Sequence, residues 1–372
     1  MRLAILGTRG IPARYGGFET FAEKLAEGLA ARGHEVTVYC EAGMAKVATE
    51  CCGARLKYIA TPALGPFTTI AYDAMCLWDA RRGFDVVYML GYGAAPFCVL
   101  PRLWSTEVWI NPDGIEWARA KWNIFGRAYL RMMEWVSLHV ASRMIADADA
   151  IAADLAARHG KLRACTTIAY GCEIVETTPK ADLLSEWMLK PHGYYLLVCR
   201  LERENHVLEI LEAFQRSKSP RKLVVVGNHK AKTKYVKRIL QARDPRIRMI
   251  GTVYDQKKLT ALRAHAFAYV HGHSVGGTNP SLLEAMGCGN LVLAHDNPFN
   301  RETLGEAGIF FSDGDELTRA INSVERLPQS ELDELREAAR RRARANYRWD
   351  DVIERYAELL EEMEPVHAKV AA

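Results

Sequence analysis

Short runs of aliphatic and β-branched residues alternate with helix-length segments twice over along this chain, and that alternation restricts the fold more than any other feature. Strand–helix–strand order requires parallel sheets covered by helices. In the first series, strands are predicted at 3–6, 35–40, 56–59, 86–90, 108–110, 150–152 and 167–168, with a helix over 18–32 that ends at Gly33 as a C-terminal glycine cap. In the second, strands are predicted at 195–199, 222–226, 248–250, 267–270, 291–294 and 309–311, with a helix over 207–215. The polar segment 173–192, which carries Pro179 and Pro191, reads as a linker between domains over 1–172 and 193–349. A last helix over 350–364 lies beyond the second sheet's final unit and is expected to pack back on the first domain. The fold class is therefore α/β, with two Rossmann-like, doubly wound domains. A ligand is expected in a central cleft at the carboxyl ends of both sets of strands.

Bulk properties agree with two ordinary globular domains. The chain has 372 residues, too many for one ordinary core. Apolar residues make up 49% and charged ones 25%, which excludes a disordered or fibrous class. A net charge of +4 with no dense basic face gives no nucleic-acid footprint. The nine cysteines form no CxxC pair and lie largely in or beside apolar runs, as buried thiols of a reducing compartment would. The short apolar run at the N-terminus does not read as a signal peptide, and no stretch approaches the roughly 20 apolar residues of a membrane span. A cytoplasmic location is expected, with peripheral contact at the inner face of the membrane as an added expectation taken up below.

Four segments carry chemistry. The first, GTRGIPARYGGFE over 7–19, follows the first strand and opens the first helix. Glycines let backbone approach a ligand, and a helix N-terminus offers N–H groups and partial positive charge to a phosphate. Neither a GxGxxG dinucleotide fingerprint nor a GK[ST] loop is present, so NAD and Walker-type binding are disfavoured. The second, CRLERENH over 199–206, places Arg200 at a strand's carboxyl end, where its fork can hold a diphosphate; a surface ion pair to Glu202 or Glu204 is the plainer reading. The third, HGHSVGGTNPSLLEAMG over 271–287, runs from a strand through a Gly-rich loop into a helix with Asn279 as cap and Pro280 at its first position. Glu284 sits one turn in, where a carboxylate could accept both hydroxyls of a ribose. The fourth, NPDGIEW over 111–117, brings Asp113 and Glu116 to the end of a first-domain strand; an ordinary Asp-Gly turn would look the same.

Together these segments resemble glycosyltransferase family 4, of the GT-B fold, along nearly the whole chain. Within it the sequence is most similar to the bacterial rhamnosyltransferase-like branch, through GTRGIPARYGGFET, NPDGIEWARAKW and HSVGGTNPSLLEAM. The resemblance implies a retaining transferase. It would move a sugar, such as rhamnose or another hexose, from a nucleotide diphosphate sugar to a saccharide or lipid-linked saccharide in cell-surface polysaccharide synthesis. It implies that Gly16 and Gly17 are donor-diphosphate glycines and that Arg200 is the phosphate-binding arginine. Asn205 stands where the family usually has a lysine, so one positive charge is missing, for which Arg9, Arg14 or Arg203 would substitute. Glu284 matches the second acid of the family's Glu-x7-Glu motif, and the first acid would fall at Gly276, beside Gly277. Asn279, Ser281 and Leu282 match positions whose backbone N–H groups meet phosphate, and Asp113 matches the place of a His or Asp beside the reacting carbon. Asp113, Glu116 and Arg200 are thus the expected catalytic residues. No cofactor and no metal are expected, the nucleotide sugar being a co-substrate.

Three further patterns are weighed. Asp147-Ala-Asp149 mimics a metal-binding DxD but borders a predicted strand, and reads as a chance match. His271 and His273 would need one or two more ligands to hold zinc. Residues 117–135 mix cations and aromatics at helical spacing, as an interfacial helix on anionic lipid would, or a partly buried amphipathic helix. A nucleotide-sugar epimerase of the same fold and a non-catalytic nucleotide-sugar-binding protein are the competing functional readings.

Overall fold

A computed structural model of the chain describes residues 1–13, 16–43, 48–162, 164–230 and 232–363. It forms two compact units, Met1–Tyr170 joined by the segment from Trp349, and Gly171–Arg348.

The first unit contains β1 (Arg2–Leu6), α1 (Gly17–Ala31), β2 (Glu35–Glu41), β3 (Glu50–Cys51), β4 (Ala54–Ile59), α2 (Thr68–Asp79) and β5 (Val86–Leu90). It continues with α3 (Val99–Arg102), β6 (Glu107–Asn111), α4 (Ile124–Val140), β7 (Arg143–Ala146), α5 (Asp149–His159) and β8 (Cys165–Thr167). The sheet order is β3-β4-β2-β1-β5-β6-β7-β8, parallel except at the short β3–β4 pair. The order reverses between β1 and β5, which pair directly from Leu3↔Val86 to Leu6↔Met89. The predicted strand at 150–152 is corrected: those residues lie in α5, and the strand is β7, whose Met144, Ile145 and Ala146 are buried. The alanines of 150–157 favour helix, and the apolar run that fills a strand position lies just before them.

The second unit contains β9 (Tyr194–Val198), α6 (Val207–Arg216), β10 (Lys222–Val226), α7 (Lys234–Ile239), β11 (Ile247–Gly251), α8 (Gln256–Ala264) and β12 (Ala268–His271). After these come α9 (Pro280–Gly287), β13 (Val292–His295), α10 (Pro298–Leu304), β14 (Gly308–Phe311), α11 (Gly314–Val324) and α12 (Gln329–Asn346). Its parallel sheet, β11-β10-β9-β12-β13-β14, reverses between β9 and β12. Segment 173–192 belongs to this unit and is not a bare connection: it makes a short turn of helix, Ala181–Trp187, that buries Leu184.

The central strands of both sheets, such as β1, β5, β9 and β10, are buried on both faces and read as near-continuous apolar runs rather than alternating ones. In the first unit α2, the turn before α3, and α4 cover one face through Cys76, Leu77, Cys98 and Met133. On the other face α1 meets α13 (Trp349–Glu361), which belongs to this unit. Tyr356 packs against Phe21 and Tyr88, and its hydroxyl lies 2.9 Å from that of Tyr88. A Cβ at Gly28 of α1 would stand 2.4 Å from Cδ1 of Ile353, so the missing side chain sets how closely the two helices approach.

Candidate functional site

The reversal between β9 and β12 is where an open parallel sheet leaves a crevice at its carboxyl edge. The loops that follow these two strands are laced together. Ser274 N–H donates to the Glu204 carbonyl at 2.9 Å, and His206 Nε2 lies 3.0 Å from Ser274 Oγ. At Gly272 a Cβ would stand 2.2 Å from the Asn205 carbonyl oxygen, so only glycine permits this backbone approach.

Arg200 heads the first of these loops. It is half-exposed, with Nε 3.7 Å from Glu202, so its guanidinium is available to an anion. Asn205 is buried and engaged within the protein: Nδ2 donates to the Arg200 carbonyl at 2.8 Å, and Oδ1 lies 2.9 Å from His273 Nδ1. It braces the turn that carries Arg200. Arg203 is exposed.

The second loop enters α9. The Asn279 side chain accepts from Ser281 N–H at 3.0 Å, and Leu282 N–H donates to the Asn279 carbonyl at 3.0 Å. Two of the amides expected to face phosphate are thus occupied inside the cap, and a phosphate would have to displace Asn279 to reach that of Ser281. Gly277 is partly exposed and Pro280 takes the first helical position. Gly276 has φ +124°, a conformation that side-chain-bearing residues rarely adopt. An acid at this position would have to adopt that unfavourable backbone. Gly276→Glu should weaken donor binding rather than add a sugar contact, because holding Glu at this φ costs about 1–3 kcal/mol. A larger donor-induced melting shift in that variant would refute this.

Glu284 projects from α9 into an ion pair with Arg263 of α8. Arg263 is 2% exposed, and its Nη2 also lies 3.3 Å from Ser281 Oγ, which in turn meets the Tyr269 hydroxyl at 2.9 Å. The carboxylate is thereby fixed in direction. Glu284→Ala would leave a buried guanidinium without its carboxylate. We expect a cost of roughly 2–3 kcal/mol, less than for a wholly buried pair because the Glu284 side chain is 33% exposed. That is a melting temperature lower by roughly 4–12 °C for a domain of this size. Glu284→Gln, which keeps an oxygen for Arg263, should melt near the parent; equal losses in both would disprove the clamp.

In the first unit the Gly-rich loop leaves β1 at its own point of reversal. A Cβ on Gly7, φ +84°, would stand 2.1 Å from the Leu90 carbonyl oxygen, so the loop lies directly on β5. Two acids of α1 turn back to hold it. Glu19 accepts from Arg9 N–H at 3.3 Å, and Glu23 from Ala13 N–H. Burial pushes the Glu19 carboxyl up, against the pull of its own backbone N–H and that of Arg9. Arg9, Gly16 and Gly17 are exposed at the head of α1, and Gly16 has φ +104°. Arg14 lies outside the described residues.

The structure separates the two carboxylates after β6. Glu116 accepts from Trp122 Nε1 at 3.1 Å, pairs with Lys121 at 2.7 Å and with Arg119 at 2.5 Å. It is a local anchor. Asp113, φ +50°, donates its N–H to Asn111 Oδ1 at 2.8 Å, and Arg119 stands 3.8 Å from its carboxylate, whose side chain is 33% exposed.

Residues 190–346, which hold the whole β9–β12 arrangement, match the family described as Glycosyl transferases group 1. The chain is a glycosyltransferase. Residues 1–173 of the transferase match a family described as a domain of unknown function, DUF1972, and no curated protein matches its sequence. Its fold is that of GT-B glycosyltransferases. Sucrose-phosphate synthase from Thermosynechococcus elongatus aligns with TM-score 0.81 over 97% of this chain and 98% of its own, at 17% identity. HepE from Anabaena, solved with UDP-glucose, aligns with TM-score 0.79 over 98% and 100%, at 18% identity. A UDP-forming trehalose-phosphate synthase from Burkholderia xenovorans, solved with glucose 6-phosphate, gives 0.76 over 97% and 100%, at 12% identity.

Several supporting residues of the transferase escaped the sequence reading. Arg263, Glu19 and Glu23 act by contacts distant in sequence or folded back on a loop, and no local spacing marks them. His271, at the end of β12, is buried, and burial with the neighbouring His295 pushes its pKa down to about 3. Among the described residues no group of three or more His, Cys, Asp or Glu is placed to hold a metal ion. His271 has consequences for stability instead. Its pKa is lower folded than unfolded, so the unfolded chain binds more protons between about pH 6.5 and about pH 3. Stability is full above that window and falls as pH drops through it. His192 and His295, also lowered by burial, act in the same direction. Thermal unfolding from about pH 7 to about pH 4.5 should show the loss, and His271→Gln should flatten it. An unchanged slope in the variant would exclude His271 as the source.

Proposed function

We propose that the transferase belongs to family 4, in its rhamnosyltransferase-like branch. It would take a nucleotide diphosphate sugar as donor and pass the sugar, with retention of anomeric configuration, to a saccharide or lipid-linked saccharide of a cell-surface polysaccharide, at the inner face of the membrane. The observation that carries this reading is the point of reversal between β9 and β12, framed by the half-exposed Arg200 on one side and by the α9 N-terminus with the clamped Glu284 on the other. Arg200 would pair with the diphosphate and Glu284 with the ribose. Gly276, in place of an acid, leaves fewer polar contacts for the sugar, which suits a deoxy sugar such as rhamnose. The family reading implies no enzymic nucleophile, so catalysis would be electrostatic: Arg200 and helix N-termini would stabilise charge growing on the leaving diphosphate. A donor phosphate oxygen would accept the acceptor's proton. Asp113 would orient the acceptor or stabilise the cationic sugar centre.

Donor binding tests the reading. A ligand that binds only the folded state raises the melting temperature, by about 2.7 kcal/mol of stability at one hundred times its Kd. UDP-, GDP-, ADP- and dTDP-sugars should be compared. One of them should shift the parent and fail to shift Arg200→Ala. No shift with any nucleotide sugar, in folded protein, would overturn the donor site as assigned.

A further inference from the structure

The first domain carries a second surface of a different character. α2, α3 and α4 lie on one face of its sheet, and their outward sides are unusually apolar for a helix layer facing solvent. Phe125 is 81% exposed, Leu103 67% and Trp78 57%; Phe97, Trp104 and Trp135 join them. On α4 the exposed residues Ile124, Ala128, Met132, Trp135 and His139 recur every three or four positions, forming one stripe.

Charge on this layer is mostly positive. Between residues 63 and 142 five cations are exposed, Arg82, Arg102, Lys121, Arg127 and Arg131, while none of the seven acidic residues is. Glu134 of α4 is buried against Arg158, and Asp79 of α2, its side chain 31% exposed, is neutralised by Lys57 at 2.5 Å. The cations interleave with the aromatics. The Arg82 guanidinium sits 4.5 Å from the Trp104 ring, and that of Arg81 4.2 Å from Trp78. Arg102 Nη1 donates to the Val140 carbonyl at 3.0 Å, tying the end of α3 to the end of α4. An ordinary solvated helix face would mix both signs.

We propose that this three-helix face rests on an anionic lipid surface. Trp and Phe would enter the boundary between headgroups and chains while the arginines meet lipid phosphates. No described helix is long and apolar enough to cross a membrane, so the contact is with the surface. The assignment rests on exposure and charge, and holds whichever donor the transferase uses.

The test is sedimentation of the full chain with phosphatidylcholine vesicles, with and without phosphatidylglycerol. The chain should pellet with the anionic vesicles, less with neutral ones, and less as salt rises. Arg82→Glu/Arg127→Glu should lower the partition on the order of tenfold or more. Phe125→Ser/Trp135→Ser should lower it while leaving the charges in place. Both variants should keep the parent's melting temperature and its donor-induced shift, which reads the donor site separately. Failure to pellet with anionic vesicles, equal pelleting with neutral ones, or pelleting that both variants leave unchanged would overturn the proposal. So would a doubling of the free chain's mass that these substitutions abolish, since a second copy would then cover the face.

Discussion

Arg200→Ala should lower turnover by roughly 10²–10³-fold, the usual cost of removing one donor to charge that develops in a transition state. The guanidinium is half-exposed, its side-chain partner Glu202 is 3.7 Å away, and Asn205, where the family usually has a lysine, is buried and bonded within the loop. No neighbour on that turn except the exposed Arg203 could replace the lost charge. Arg200→Lys should recover only part of the loss, because an ammonium cannot reproduce the planar two-pronged contact. Steady-state rates with the donor found by melting shift are the measurement. If Arg200→Ala kept parental kcat and KM, Arg200 would be a surface residue and the diphosphate would bind elsewhere.

Asp113→Asn should lower kcat by roughly 10²-fold while leaving the donor-induced melting shift close to the parent's. The substitution preserves size and the N–H bond to Asn111 but removes the negative charge proposed to act on the sugar centre or the acceptor. Glu116→Gln is the informative contrast. Glu116 holds Trp122, Lys121 and Arg119, so its loss should lower stability more than it slows turnover. Normal turnover in Asp113→Asn would remove Asp113 from the chemistry. A larger kinetic loss in Glu116→Gln, in folded protein, would exchange the two roles.

The fold was largely legible because its signals are local. Parallel strands buried on both faces are apolar runs, and these were found at β5 and β10 to the residue. The error at 150–152 arose where a short apolar run, in β7, abuts an alanine-rich helix and only the sheet decides which of them pairs. The site was legible as motifs but not as roles. Asp113 and Glu116 are equivalent on paper, and the indole and two cations that engage Glu116 distinguish them. Gly276 read as a missing acid; the backbone at φ +124° shows that the position itself favours glycine.

By itself the sequence determined the α/β class, the two series of strands, and which turns bring glycine, arginine and carboxylate to strand ends, because periodicity, caps and turn chemistry act over a few residues. Tertiary structure alone decided that an indole and two cations engage Glu116, that Arg263 clamps Glu284, that Asn205 braces Arg200, and that Glu134 of α4 turns inward while cations and aromatics of its layer face out. Those outcomes depend on burial and on partners up to tens of residues away. The free energy of a charge is set by what surrounds it in space and not by its neighbours in the chain.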